Sequence, residues 1–234
     1  MNQTIRNDIM ETLSHYFPNP ESALEFSNPF ELLIGVVLAA QATDASVNIG
    51  TRRLFKDAGT PKAIYELGED RLKDYIRHIG LYNAKAKNVV ALCKILCEKY
   101  DGQVPEDFDA LVQLPGVGRK SASVVMNVAF GHPFIAVDTH VFRVSNRTGY
   151  AKGKTPDQVQ EKLERYTAKQ YKIEAHHYFI YLGRQICKAR KPECWRCPIE
   201  KYCEFKTKTP MPDEKTLAKR PPERIGSLLG TNED

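Results

Sequence analysis

The stretch "LPGVGRKSASVVMNV", Leu114 to Val128, joins two helical patterns through a turn made of Pro115, Gly116, Val117 and Gly118. Upstream, "PEDFDALVQ" reads as a short helix capped by Asp107 or Asp109 and carrying Leu111, Val112 and Leu114. Downstream, a second helix is expected from about Arg119 to Phe130. Gly116 and Gly118 can adopt backbone angles that other residues resist, and without side chains they let a phosphate approach the main chain. Amides at the start of the second helix then face outward, where the helix dipole favours an anion. The arrangement reads as a helix-hairpin-helix that holds a nucleic-acid backbone without reading its bases.

The charge around the hairpin agrees. Net charge is +5, but from Gln113 to Lys154 six Lys or Arg stand against a single acid, Asp138. Such a run suggests a surface facing phosphates, although a solvated basic face is the plainer reading. Lys120 lies on the first turn after the glycines. It reads either as a phosphate contact or as a nucleophilic amine. The second role needs a local environment that disfavours the ammonium, since an ordinary lysine is protonated at neutral pH. Partial burial of Lys120 is therefore expected. Asp138, in "AVDTH", is placed to cap the helix that follows, and capping is compatible with a catalytic role.

The rest of the chain is helical in pattern, with no strand-like alternation of useful length. "SNPFELL" is a helix start in which Asn28 caps, Pro29 takes the first helical position and Glu31 completes a capping box. The helix it opens is apolar on all sides and should be buried. "NAKAKNVVALCKILCEKY" sets Val90, Cys93 and Cys97 on one face, with Val89 and Leu96 beside it, so Cys93 and Cys97 read as core thiols. His176 and His177 adjoin on a helix and suit core or surface roles better than catalysis. No charged-then-apolar signal peptide is evident at the start of the sequence, and no apolar run is long enough to span a bilayer.

"CKARKPECWRCPIEKYC", Cys187 to Cys203, holds four of the six cysteines with spacing C-x6-C-x2-C-x5-C. Disulfides are one reading, with three possible connectivities, but they fit poorly where nothing marks the protein as exported. Four thiolates so close read as ligands of one metal centre, and spacing alone leaves zinc and iron–sulfur both open. Lys188, Arg190 and Lys191 between the first two cysteines would offset thiolate charge and could reach a phosphate.

"LPGVGRKSA", "VDTHVFRV" and the cysteine tail, together with "LLIGVVLAAQATD" and "HIGLYNAKA", resemble the endonuclease III family of bifunctional DNA glycosylases over about residues 25 to 206. The resemblance implies an all-α protein of two helical domains flanking a DNA-binding cleft. Residues 22–132 would form a six-helix barrel containing the hairpin at about 107–130. Residues 1–21 and 133–211 would form a domain closed by a [4Fe-4S] cluster on Cys187, Cys194, Cys197 and Cys203, with structural zinc as the alternative. Residues 212–234 read as a disordered tail.

Carried over by position, Lys120 attacks the sugar of a damaged nucleotide and Asp138 steadies the cationic sugar. A Schiff base then leads to strand cleavage by β-elimination. Gln41 and Leu81 stand where the family inserts side chains into the stack. Gly116, Gly118, Arg119, His140, Arg143 and Lys191 are expected DNA contacts. The partner implied is double-stranded DNA with damaged or abasic sites, bound by a cytoplasmic monomer. Ser121 and Ser123 depart from the commoner Thr and Asn. Two other readings remain. One is a monofunctional adenine-mismatch glycosylase, which Lys120 argues against. The other is a non-catalytic DNA-binding module with a four-cysteine metal site.

Overall fold

The computed structural model describes residues 1–217, and among them only helices, turns and loops occur. The helices are α1 (Gln3–Tyr16), α2 (Pro29–Leu38), α3 (Asp44–Asp57), α4 (Pro61–Ile76), α5 (Tyr82–Lys99), α6 (Phe108–Val112), α7 (Arg119–Val128), α8 (Thr139–Thr148), α9 (Pro156–Tyr166), α10 (Ala175–Gln185) and the single turn α11 (Glu214–Leu217). The described residues form two compact units: Ser22–His132, which holds α2 to α7, and Met1–Glu21 joined with the described chain from Pro133. Within the tail expected to be disordered, Glu214–Leu217 form a helical turn, and residues 218–234 lie outside the described residues.

Local signals account for most helix starts. Asn28, Thr43, Thr60, Asp107, Asp138 and Thr155 each cap a helix through a side-chain oxygen, and Pro29, Pro61 and Pro156 take first-turn positions. At α2 the capping box closes one residue earlier than its pattern suggests. Asn28 Oδ1 accepts from Glu31 N at 2.9 Å, but Glu31 Oε2 accepts from the Ser27 amide and hydroxyl, each at 2.7 Å. The carboxylate reaches past the cap because Ser27 offers two donors at once.

Helix α2 is buried on every side from Leu32 to Leu38, so it forms the centre of its unit. Burying a residue such as Leu32 or Ile34 is worth about 1.5–3 kcal/mol each. Around it the same unit buries Leu54, Leu72, Ile76, Leu92 and Leu96. On α5 the buried stripe is Lys85, Ala86, Val89, Leu92, Cys93 and Leu96; Cys93 is core as expected, while Cys97 sits at its margin. Helix α4 breaks at Gly68, whose φ of +76° lets the chain turn there. The other unit packs α1, α8, α9 and α10 around Ile9, Met10, Leu13, Val141, Leu163 and Phe179. Tyr150 meets Phe179 edge to face at 5.3 Å. No helix among the described residues is long and apolar enough to cross a membrane.

Candidate nucleic-acid site and iron–sulfur centre

In the unit built from α2 to α7, the hairpin glycines differ in role. Gly116 has φ +78°, and a Cβ there would lie 3.1 Å from both Asn88 Cβ and Val37 Cγ1. Conformation and packing both disfavour a side chain there. Gly118 has an ordinary extended backbone, φ −90°, with open space where a Cβ would point. The expectation that both need unusual angles therefore holds for Gly116 alone; at Gly118 the missing side chain leaves the main chain open to approach. Helix α7 follows with no side-chain cap. Arg119 is exposed, its guanidinium 5.0 Å from the Phe108 ring.

Lys120, second in α7, is exposed. The partial burial expected for it is absent: Lys120 lies off the face of α7 that buries Ala122, Val125 and Met126.

Gln41 and Leu81 are both exposed, non-glycine residues with left-handed backbones, φ +56° and +61°. Leu81 opens α5 without a side-chain cap and is 61% exposed. One turn further on, Lys85 is the reverse. It is 5% exposed, its Nζ has no hydrogen-bond partner, and burial lowers its pKa. Nothing in a pattern of "NAKAKNV" distinguishes it from the exposed Lys87.

In the other unit, Asp138 Oδ1 accepts from Val141 N at 2.7 Å, the cap expected of it. His140 follows on the first turn of α8. Burial lowers its pKa, against an opposing pull from the Asp138 carboxylate, so its imidazole is neutral near pH 7. Arg143 NH2 lies 3.1 Å from His140 Nδ1, and the Gly183 backbone also hydrogen-bonds the imidazole. Arg143 itself turns inward. Its Nε donates to Cys187 O at 3.0 Å and its NH2 to Gly183 O at 2.9 Å, leaving its donors committed to main chain rather than set out towards a phosphate.

One turn along α8, Arg147 does the same for the cysteine loop. It donates to Lys188 O at 2.7 Å, to Ala189 O at 2.9 Å and to Cys187 Sγ at 3.7 Å. Lys188 is paired with Glu193 at 2.6 Å, whereas Lys191 is exposed on a left-handed backbone, φ +51°. Thr209 closes the loop from its far side, accepting from Cys194 N at 3.1 Å and donating to Pro192 O.

Cys187, Cys194, Cys197 and Cys203 line a single pocket with Leu182 and Ile186. Among the described residues no three His, Cys, Asp or Glu side chains converge on a point that would hold one metal ion. A tetrahedral zinc with Zn–S near 2.3 Å would bring its sulfurs within about 4 Å of one another. Sulfurs arranged around a pocket instead suit a polynuclear cluster. Burial pushes the Cys197 thiol up to about 12, against a lowering contact from the Ile199 backbone, and raises Cys203 as well. Thiolates in this pocket need cations beside them, which iron supplies.

The uncapped helix after the glycine hairpin suits a phosphate backbone, and the four-cysteine pocket suits an iron–sulfur centre. Residues 34–169 match the HhH-GPD superfamily base excision DNA repair protein model, and residues 187–203 match the iron–sulfur binding domain of endonuclease III. The chain is 54% identical to endonuclease III of Rickettsia conorii, covering 88% of this chain and 98% of that protein. It is 53% identical to endonuclease III of Escherichia coli K12, over 89% and 99% of the respective chains. A trapped endonuclease III–DNA covalent intermediate superposes with a TM-score of 0.82 at 44% identity, over 87% of this chain and 96% of that one. The chain belongs to the endonuclease III family of the HhH-GPD base-excision repair proteins. Its fold is all-α, its cofactor a [4Fe-4S] cluster, its partner DNA and its activity that of a DNA glycosylase with lyase action at abasic sites.

Proposed function

We propose that Lys120 is the amine of this reaction and that Asp138 is its carboxylate. The observation that carries the reading is the exposed Lys120 at the start of an uncapped helix, directly after the open main chain of Gly118. Gly116 keeps the hairpin narrow, and Gly118 lets a phosphate approach the amides of α7. The duplex that covers the hairpin then also removes water from the Lys120 amine. Lys120 Nζ attacks C1′ of the extruded nucleotide, the glycosidic bond breaks and the base leaves with its electron pair, taking up a proton. Asp138 offsets positive charge on the sugar as that bond opens. The sugar ring opens to an imine on Lys120, whose electron withdrawal acidifies the 2′ hydrogen. Its loss expels the 3′ phosphate and cuts the strand.

Gln41 and Leu81 fill the space the nucleotide leaves. Arg119, Lys191 and His140 contact phosphate. Arg143 serves DNA binding indirectly, by holding His140 and the Cys187 loop. Cys187, Cys194, Cys197 and Cys203 hold the cluster, which when bound supplies a rigid, charge-balanced support for the basic loop and takes no part in the bond changes. We take residues 22–132 as the hairpin-bearing barrel domain, and the enzyme as a cytoplasmic monomer acting on oxidised pyrimidines and abasic sites.

Borohydride reduction in the presence of abasic-site DNA tests the assignment. The wild-type protein should become covalently joined to the strand. Lys120→Gln should bind the same duplex without joining or cutting it. Adduct formation by that variant would move the chemistry to another amine.

A further inference from the structure

The segment that delivers Asp138 to α8 is Ile135-Ala136-Val137. It has no regular secondary structure, yet all three residues are buried. Irregular backbone in a core lacks ladder partners, so side chains must satisfy its polar groups. From α9, Glu164 Oε1 accepts from Ile135 N at 3.2 Å, and Gln160 Nε2 donates to that oxygen at 2.9 Å. From α10, His176 places Nδ1 2.7 Å from the Ala136 carbonyl; a carbonyl only accepts, so Nδ1 bears the proton. His176 is itself 6% exposed.

The clamped carbonyl lies two residues before Asp138. Between them stands Val137, β-branched and buried, with little rotational freedom. Beyond Asp138 the α8 cap ties its Oδ1 to Val141 N. The carboxylate is thus held on its chain-forward side by its own cap and on its chain-backward side by His176 and Glu164. Capping alone would fix the start of α8 but leave the incoming backbone free to tilt the residue.

We propose that His176 is a positioning residue for the base-excision step, orienting Asp138 through the Ala136 carbonyl, with Glu164 as the second clamp. This rests on the reading of Asp138 as the carboxylate that steadies the sugar. A catalytic group displaced by a fraction of its reach loses rate without losing substrate, and remote substitutions of this kind cost on the order of 10²-fold. A histidine that merely filled the core would instead lower stability and cluster content without favouring the rate.

The test measures single-turnover excision from an oxidised-pyrimidine duplex, Kd for a duplex with a reduced abasic-site analogue, and visible cluster absorbance. His176→Leu should slow excision by about 10²-fold, with Kd changed less than about twofold and absorbance intact. His176→Asn, whose side-chain amide can donate to the same carbonyl, should return to within about fivefold of wild type. Adding His176→Leu to Asp138→Asn should slow that variant no further, since one acts through the other. If the leucine variant does not accumulate, Glu164→Leu carries the comparison, slowing excision at constant Kd while Glu164→Gln does not. Wild-type excision by His176→Leu or Glu164→Leu, no rescue by asparagine, or additive losses in the double variant would each overturn the proposal. Full activity in Asp138→Asn would remove the underlying reading and the proposal together, whereas a slow Asp138→Asn beside a fast His176→Leu removes only the proposal.

Discussion

Gln41 and Leu81 share a left-handed backbone, φ +56° and +61°, on turns that abut: a Cβ on Gly80 would lie 4.0 Å from the Gln41 carbonyl. Each turn holds an exposed side chain in a conformation costing about 1–2 kcal/mol for a non-glycine residue. Strain kept on these two abutting turns fits the proposed role of Gln41 and Leu81 as inserting side chains. Leu81→Gly should relieve that strain, so the melting temperature should stay level or rise slightly, while excision falls by roughly tenfold or more as the inserted side chain is lost. A variant that is both less stable and fully active would remove Leu81 from the site.

The hairpin glycines should separate stability from binding. Gly116→Ala must adopt a positive φ and press on Asn88 and Val37, so unfolding should become easier by about 1–3 kcal/mol. Gly118→Ala meets nothing and keeps an ordinary φ, so thermal stability should hold within about 1 kcal/mol. Its DNA affinity should nevertheless fall about tenfold, since a methyl group stands where a phosphate approaches. Fluorescence anisotropy with an abasic-analogue duplex reads the second effect, and unchanged affinity would place the backbone contact elsewhere.

Arg147 holds two carbonyls of the loop that follows Cys187, and each hydrogen bond to a charged donor is worth about 1.5–3 kcal/mol. Lysine carries the charge without the fork that reaches both acceptors. Arg147→Lys should therefore lose visible cluster absorbance several-fold faster in air than wild type, and Arg147→Ala faster still. Equal decay rates in all three proteins would show that the loop is held by its ligands alone.

Burial holds the His177 imidazole at about 3, with His176 and Arg184 adding to the effect. In the unfolded chain the same group takes a proton near 6.5, an approximate reference value. Between those values the unfolded state binds more protons, so this contribution to stability is complete above pH 6.5 and declines as pH falls towards 3. The slope from one such group cannot exceed about 1.4 kcal/mol per pH unit. His177→Gln should flatten the melting-temperature profile between pH 7 and 5, above the range where most carboxylates titrate. A profile parallel to wild type would show that His177 keeps its proton access in the folded state.

Much of this protein is legible along the chain because it is encoded locally. Asn28, Asp107 and Asp138 cap the helices their neighbours announce, since a cap bonds an amide only three residues away. The four cysteines are recognisable as a metal centre from spacing, because a turn of fixed length presents sulfurs together. Other features depend on partners far along the chain. Spacing left zinc and iron–sulfur open; it is the pocket around which the sulfurs are spread that favours the cluster. Arg143 reads as a DNA contact until packing brings it to Cys187 and Gly183, some forty residues downstream. Lys85 and Lys120 look alike in sequence, yet one is sealed inside its unit and the other stands in solvent. His176 gains its role from a carbonyl at Ala136 that no periodicity connects to it. Caps and turns are short-range chemistry written in adjacent residues, whereas burial and long-range hydrogen bonds exist only once helices have packed.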